Sequence, residues 1–546
     1  MDLVEDKNDN IKENVSNCLE YSKNIASTYT GKNSASSTEI AKRNSIWDID
    51  LILSKIFAYS DIKDLIKLNT VCKRWCHLTR SIIYRRIKLL RSRDIISNRY
   101  MGIMNTATMR YAEIDDCISN NAIHAHLIKE FTLSEQIQSK NIVNFFKVFS
   151  FIENLTLSGV KMCQGIFLDI INPLTHLREL NLERFHATWE PVKGDLWEAV
   201  QLPSSLTKLT LSNVHIEDDP PLFIKTINSH RNLIEFSFKG INHRRILDQF
   251  IKLYPTLKYF EYRIDHRIEN IEFLYSILEF NPQLLALKLE LQKWRKALIN
   301  NINRHLTNLQ EFSFESAFKP VVPLDDIFYF SLSSKIKKLK LSPQFLTSNS
   351  LNSVLKNCPE LIELSLICSK NHLYFDNYTL NISAPINISK LEINFTSLAD
   401  TSFDSILIFC AHLKVLDIKL PINWLDWMNI IRKRCSNLEQ LTLSISIPTH
   451  KEQHEFYEAL SNNSAFSTTL THLTFKDVSF HSARAEYFAN FPNLKSIKFL
   501  ALSANDISQF KKNEAEKNMW RNFDVVILEI PLCYFNIKLI KVASIN

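Results

Sequence analysis

The residues best equipped for chemistry crowd into one short stretch, "LNTVCKRWCHL" at residues 68–78. Cys72 and Cys76 lie four apart there, with Lys73, Arg74 and His77 beside them and Trp75 between. Thiols next to cations suit redox or nucleophilic work, because a neighbouring positive charge favours the thiolate. Cysteine and histidine together also suit a metal. His124 and His126 form a second candidate pair, and Cys358, Cys410 and Cys435 a third group. The densest basic runs are "KIKKLK" at 335–340 and "RKR" at 432–434, which suit anions.

Most of these readings lack the companions they need. No CxxC occurs, no Cys/His set has zinc-finger spacing, and His124 and His126 stand without further ligands. The chain has only six glycines and neither GxGxxG nor GxxxxGK[ST], so the common nucleotide-binding loops are not expected. Net charge is +7, with 65 bases against 58 acids and no long basic block, so nucleic acid is not expected as a partner. No catalytic residue, metal or cofactor is expected. The N-terminus lacks an apolar signal-peptide core and no apolar run reaches membrane-spanning length. The expected location is therefore cytoplasmic or nuclear, away from membranes, with the cysteines as thiols.

The elements that position these residues come from a repeat. Six-residue windows of the form apolar-x-x-apolar-x-apolar start at residues 152, 177, 206, 233, 257, 284, 309, 336, 361, 388, 413, 438, 470 and 494. Examples are "LRELNL" (177–182) and "LEQLTL" (438–443), and a weaker window, "IKEFTL", stands at 128–133. The last two apolar positions alternate, so both point to one face of a short strand. Helix-period segments lie between windows, as in 294–306, 350–358 and 424–435. One strand and one helix cannot bury a core alone, but stacked units can. The expected fold is α/β, with parallel strands inside and helices outside. Cys358, Cys410 and Cys435 each precede a window by three residues, the slot that Tyr254 and Phe491 fill elsewhere. The slot reads as a buried helix end, where cysteine is a small hydrophobe. The insertion around 448–466 lengthens one unit.

Residues 1–44 are polar and read as a disordered tail. From residue 46 the pattern becomes helical. Ile49, Ile52, Leu53, Ile56 and Phe57 share a helix face. Asp61 suits the N-cap of a second helix that turns Leu65 and Leu68 inward. Asn69 or Thr70 would begin a third, with Val71, Trp75 and Leu78 on one face. Three short helices bury little by themselves and call for a partner or neighbouring domain.

Two resemblances follow. The windows resemble leucine-rich repeats of the irregular, ribonuclease-inhibitor-like kind, which implies a solenoid. Typical units carry Asn or Cys two residues after the strand, whereas this chain has Val160, Val214, Ile241 and Val478 there. Residues 45–90 resemble the F-box through Leu51-Ile52-Leu53, Ile56-Phe57, Asp64-Leu65, Leu68 and Val71-Cys72-Lys73-Arg74-Trp75, although the family's opening Leu-Pro is absent. The implied layout is an F-box at 45–90, a linker or N-terminal cap at 91–127, about 14 to 15 leucine-rich repeats over 128–501 and a C-terminal cap at 502–546.

The resemblance implies a substrate receptor of Skp–cullin–F-box ubiquitin ligases. Ile52, Leu53, Ile56, Phe57, Leu65, Leu68, Val71, Cys72 and Trp75 would face the Skp-type adaptor. The repeats would hold an unidentified protein target, with Lys337, Lys338 and Lys340 as candidate contacts for an acidic or phosphorylated segment. The alternative is a leucine-rich-repeat scaffold without ligase association, its F-box-like helices merely capping the repeats.

Overall fold

The computed structural model describes residues 50–58, 60, 62–89, 106–107, 112–134, 139–188, 201–216, 221–240, 250–264, 271–291, 296–316, 335–343, 346–368, 378–445, 450–462, 465–478, 483–517, 520, 522–530 and 534–542. The tail at 1–44, Asp61 and Ile241 lie outside the described residues, as does the Leu51 side chain. The chain divides into two units, Met1–Ile56 and Phe57–Asn546. The described part of the first is helical, the opening turns of the helix Asp50–Ala58.

The second unit is α/β and built on one large, mostly parallel sheet. Nineteen described strands join it. Each of the fourteen windows supplies one strand, which begins two residues after the window does, from Asn154–Ser158 to Ser496–Leu502. The weaker window supplies Glu130–Leu133. Equivalent positions pair strand after strand, as in Glu311↔Lys338, Lys338↔Glu363 and Glu363↔Lys390. The apolar pair of each window points inward, as the alternating burial of Glu363–Ile367 and Val415–Lys419 shows. These side chains and the buried faces of helices such as Lys296–His305, Ser348–Asn357 and Trp424–Arg434 form one continuous core. Phenylalanine is tolerated in the windows because in-register rings stack, Phe475 on Phe499 at 5.0 Å and Phe238 on Tyr262 at 6.0 Å. The insertion near 448–466 folds as the helix His450–Ser461.

The apolar residues where an Asn ladder is usual have a structural counterpart. Gly159, Arg184, Asn213, Gly240 and Asp477 all take positive φ, each seven residues after its window starts. Three of their amides donate to the next unit's carbonyls, Gly159 to Glu183, Arg184 to Ser212 and Asn213 to Lys239, at 2.6–2.7 Å. The left-handed residue turns the chain, and the apolar residue after it drops inward: Val160, Phe185, Val214 and Val478 are all buried. Backbone amides thus do the bridging that an Asn side chain would do. At Gly240 φ is +152°, and an added Cβ would lie 2.9 Å from the Asn213 amide nitrogen. Gly240→Ala is therefore expected to lower stability by about 1–3 kcal/mol, read as a lower denaturant midpoint.

Two features lie beyond the windows. The first is Arg86–Leu89, a strand that pairs in parallel with Glu130–Leu133 and lies inside the segment expected to be purely F-box. Its sequence, Tyr84-x-x-Ile87-x-Leu89, is itself a window with the usual two-residue offset. The second is a C-terminal hairpin, Phe523–Ile530 with Tyr534–Lys541, whose second strand pairs antiparallel with Ser496–Leu502. It covers the last parallel strand's open edge.

Candidate functional site

The N-terminal helices place the expected docking residues unequally. In the first unit Leu53 is buried, Ile52 half-buried and Ile56 exposed. In the second, Phe57 and Leu65 are buried, Leu68 and Trp75 half-buried, and Val71 and Cys72 exposed. The Phe57 ring meets Trp75 edge-on at 5.2 Å.

The third helix differs from the sequence expectation. It runs Lys73–Ile83 rather than starting at Asn69 or Thr70. Thr70 and Val71 donate their amides to Lys67 and Leu68, closing the second helix (Ile62–Asn69) in a turn. Cys72 follows in extended conformation as the N-cap, its Sγ accepting the Trp75 amide at 3.5 Å. Val71 therefore sits in the turn, 60% exposed, and not on a helical face with Trp75 and Leu78. Ile66 is also exposed, at 54%, a position the amphipathic reading passed over. Its only signal is an isoleucine off the Leu65/Leu68 face.

Only Tyr84 and Arg85 separate the third helix from the strand Arg86–Leu89. The Thr79 hydroxyl, fully buried, lies within hydrogen-bond distance of Asn69 Oδ1 at 3.0 Å and the Trp75 carbonyl oxygen at 2.7 Å, tying the second helix to the third. Tyr84 caps the third helix and stacks on His124 at 4.0 Å. Burial, Arg80 and His126 hold the His124 imidazole below its ordinary pKa, which suits a neutral stacked ring. Arg85 and Arg86 both pair with Glu130 on the next strand.

The exposed face of the sheet is laced by charge pairs between neighbouring strands. Lys338 meets Glu311 at 2.6 Å and Lys340 meets Glu315 at 3.0 Å. The hydrogen bond and charge of Glu311 raise the Lys338 pKa. Lys337 precedes the strand Lys338–Leu341, and Lys338 and Lys340 are each matched by a carboxylate, so the three do not form an unmatched cationic cluster. Lys338 and Lys340 do border a hollow of about 310 Å³, with Tyr259, Lys288, Glu311 and Ser313 also on its rim. Small Ala286 and Ser313 open it, and its charges are largely matched.

Glu261 is the most enclosed carboxylate of this network. It accepts from Lys239 at 3.0 Å, Lys288 at 3.1 Å and the Ser237 hydroxyl at 2.9 Å. Burial pushes its pKa up, but these donors outweigh burial and hold it below the ordinary carboxylate value. A depressed folded pKa adds stability that is complete above the unfolded value and is lost as pH falls through the folded one. Glu261→Gln is expected to reduce stability at neutral pH and to flatten its fall in acid, measured as denaturant midpoints between about pH 3 and 7.

The cysteines end helices. Cys358 and Cys435 are C-caps and Cys410 follows one, all buried. Burial drives the Cys410 thiol up and the Cys435 thiol up to about 12, so both stay protonated and poorly nucleophilic. Among the described residues no group of three or more His, Cys, Asp or Glu is placed to hold a metal. No described helix is long and apolar enough to cross a membrane.

With this geometry in place, residues 50–90 match the family model described as F-box-like. No curated protein matches the chain.

Proposed function

We propose that this chain is the substrate-recognition subunit of a Skp–cullin–F-box ubiquitin ligase. Its F-box-like helices dock on a Skp-type adaptor, and the sheet-bearing array, read as a leucine-rich-repeat solenoid, binds the protein to be ubiquitinated. The observation that carries this reading is the F-box-like match at 50–90, running straight into the strand ladder at Arg86. That continuity suits a receptor, because one chain then carries both the adaptor-docking helices and the surface offered to a target. The mechanism is proximity: tethering raises the local concentration of target lysines, a role that asks no catalytic group of the chain. The action belongs to the cytoplasm or nucleus.

The absent Leu-Pro at the start of the motif favours a second reading, an interaction scaffold without ligase association. A pull-down of the full chain with a Skp-type adaptor separates the two. Retention of the adaptor is expected, and its failure to bind would leave the scaffold reading standing.

A further inference from the structure

Along most of the sheet's exposed face, each lysine is answered by a carboxylate on an adjacent strand. Lys208 reaches Glu179 and Glu235, Lys239 and Lys288 reach Glu261, and Lys390 reaches Glu363. The pattern breaks at the C-terminal end. There the row running across the strands reads Thr442, Thr474, Lys498, Lys538 and Val526. Lys498 and Lys538 are direct partners in an antiparallel pair, and like charges placed so are destabilising. The parallel row beside it reads Gln440, His472, Ser496, Ile540 and Asp524. Lys495 stands exposed just before the strand. Lys498, Lys495 and Lys538 all press on His472, whose imidazole is held below its ordinary pKa by burial and by these three charges.

The other charges nearby do not cancel the cluster. Lys476 is engaged by Asp417 at 2.8 Å, and Lys541 by the carbonyls of Phe491 and Pro492. Asp524 lies on the outermost strand, exposed, and faces Ile540 rather than a lysine.

We infer that Lys495, Lys498, Lys538 and His472 form a docking site for a phosphorylated peptide segment, which deepens the target-binding half of the proposed function and rests on it. Charge complementarity selects the occupant. Lys498 and Lys538, as cross-strand partners, stand about 5 Å apart, and Lys495, just before the strand of Lys498, and His472, at the start of the adjoining strand, flank them. A phosphoryl group brings close to two negative charges and three acceptor oxygens to such a spot, which a single carboxylate does not. A nucleic acid would need a longer basic stripe, and the face beside the patch is already neutralised by Asp417 and Glu439.

The test uses the full chain and two pools of fluorescein-labelled peptides, with a central serine and glutamate-rich randomised flanks. One pool is phosphorylated on the serine. Fluorescence anisotropy should give at least tenfold tighter binding for the phosphorylated pool. Lys498→Glu/Lys538→Glu should abolish that preference, and Lys498→Ala should reduce it severalfold should the double variant not fold. Lys338→Gln/Lys340→Gln, in the matched ladder, should stay within twofold of wild type. Equal affinity for both pools, or an equal loss with the ladder variant, would overturn the inference. Displacement of the peptide by single-stranded DNA at similar concentration would assign the patch to nucleic acid instead. Adaptor pull-down on the same samples keeps the two proposals apart. Adaptor capture without phosphopeptide preference sinks the patch alone, and the reverse sinks the ligase reading alone.

Discussion

Val71→Asp is expected to reduce capture of a Skp-type adaptor at least tenfold while leaving the melting curve of the free chain almost unchanged. The physical case rests on where Val71 lies. It is 60% exposed in the turn between the second and third helices, so its side chain contributes little to the core. A carboxylate there stays solvated in the free protein. Covered by an apolar partner surface, it must lose that water without a compensating donor, at a cost of several kcal/mol. Tenfold, about 1.4 kcal/mol, is a lower bound on that effect. Phe57 and Trp75 test something else. Phe57 is buried against the Trp75 ring, so Phe57→Ala would loosen the helices themselves, by about 3–5 kcal/mol, and any loss of binding would follow from that. Wild-type capture by Val71→Asp would place the turn outside the contact.

Trp427→Ala is expected to cost about 3–5 kcal/mol of stability, at the top of the range for truncating one buried side chain. Trp427 is fully buried on the helix Trp424–Arg434 and stacks on Phe403 of the neighbouring helix at 4.2 Å. Its indole N–H donates to Asp400 Oδ1 at 2.8 Å, in the first turn of Asp400–Ile408. Removing the ring empties the space between two adjacent units and takes a donor from a carboxylate. The interface between neighbours carries much of a repeat array's stability, so the damage should spread beyond one helix. Trp427→Phe keeps most of the packing and loses the hydrogen bond, for about 1.5–3 kcal/mol. Denaturant midpoints followed by far-ultraviolet circular dichroism read both, and equal midpoints for Trp427→Ala and wild type would rule out a stabilising role for the stacked indole.

Strand placement was legible in the sequence because it depends on local periodicity. A period of two in Leu413-Lys414-Val415-Leu416-Asp417-Ile418 sets which side chains face inward whatever lies next to the strand. The helix-end cysteines were legible for the same reason, since their slot recurs in each unit. Two readings needed more than periodicity. Tyr84-Arg85-Arg86-Ile87-Lys88-Leu89 carries the window, yet it abuts a helix and stands apart from the regular array, so only pairing with Glu130–Leu133 identifies it as a strand. Val71 shares an apparent helical spacing with Trp75, but the Cys72 cap starts the helix too late to use it.

The sequence by itself determined the array, its inward and outward positions, and the F-box-like character of the helices before it. Only the tertiary structure decided which exposed charges are matched. Lys338 and Lys340 resemble a cationic site in the chain, but their partners Glu311 and Glu315 are 27 and 25 residues away in sequence and one strand away in space. Lys498 and Lys538 are 40 residues apart and read as unrelated until the C-terminal hairpin turns one against the other. Cross-strand neighbours are set by register, which no single strand's sequence contains.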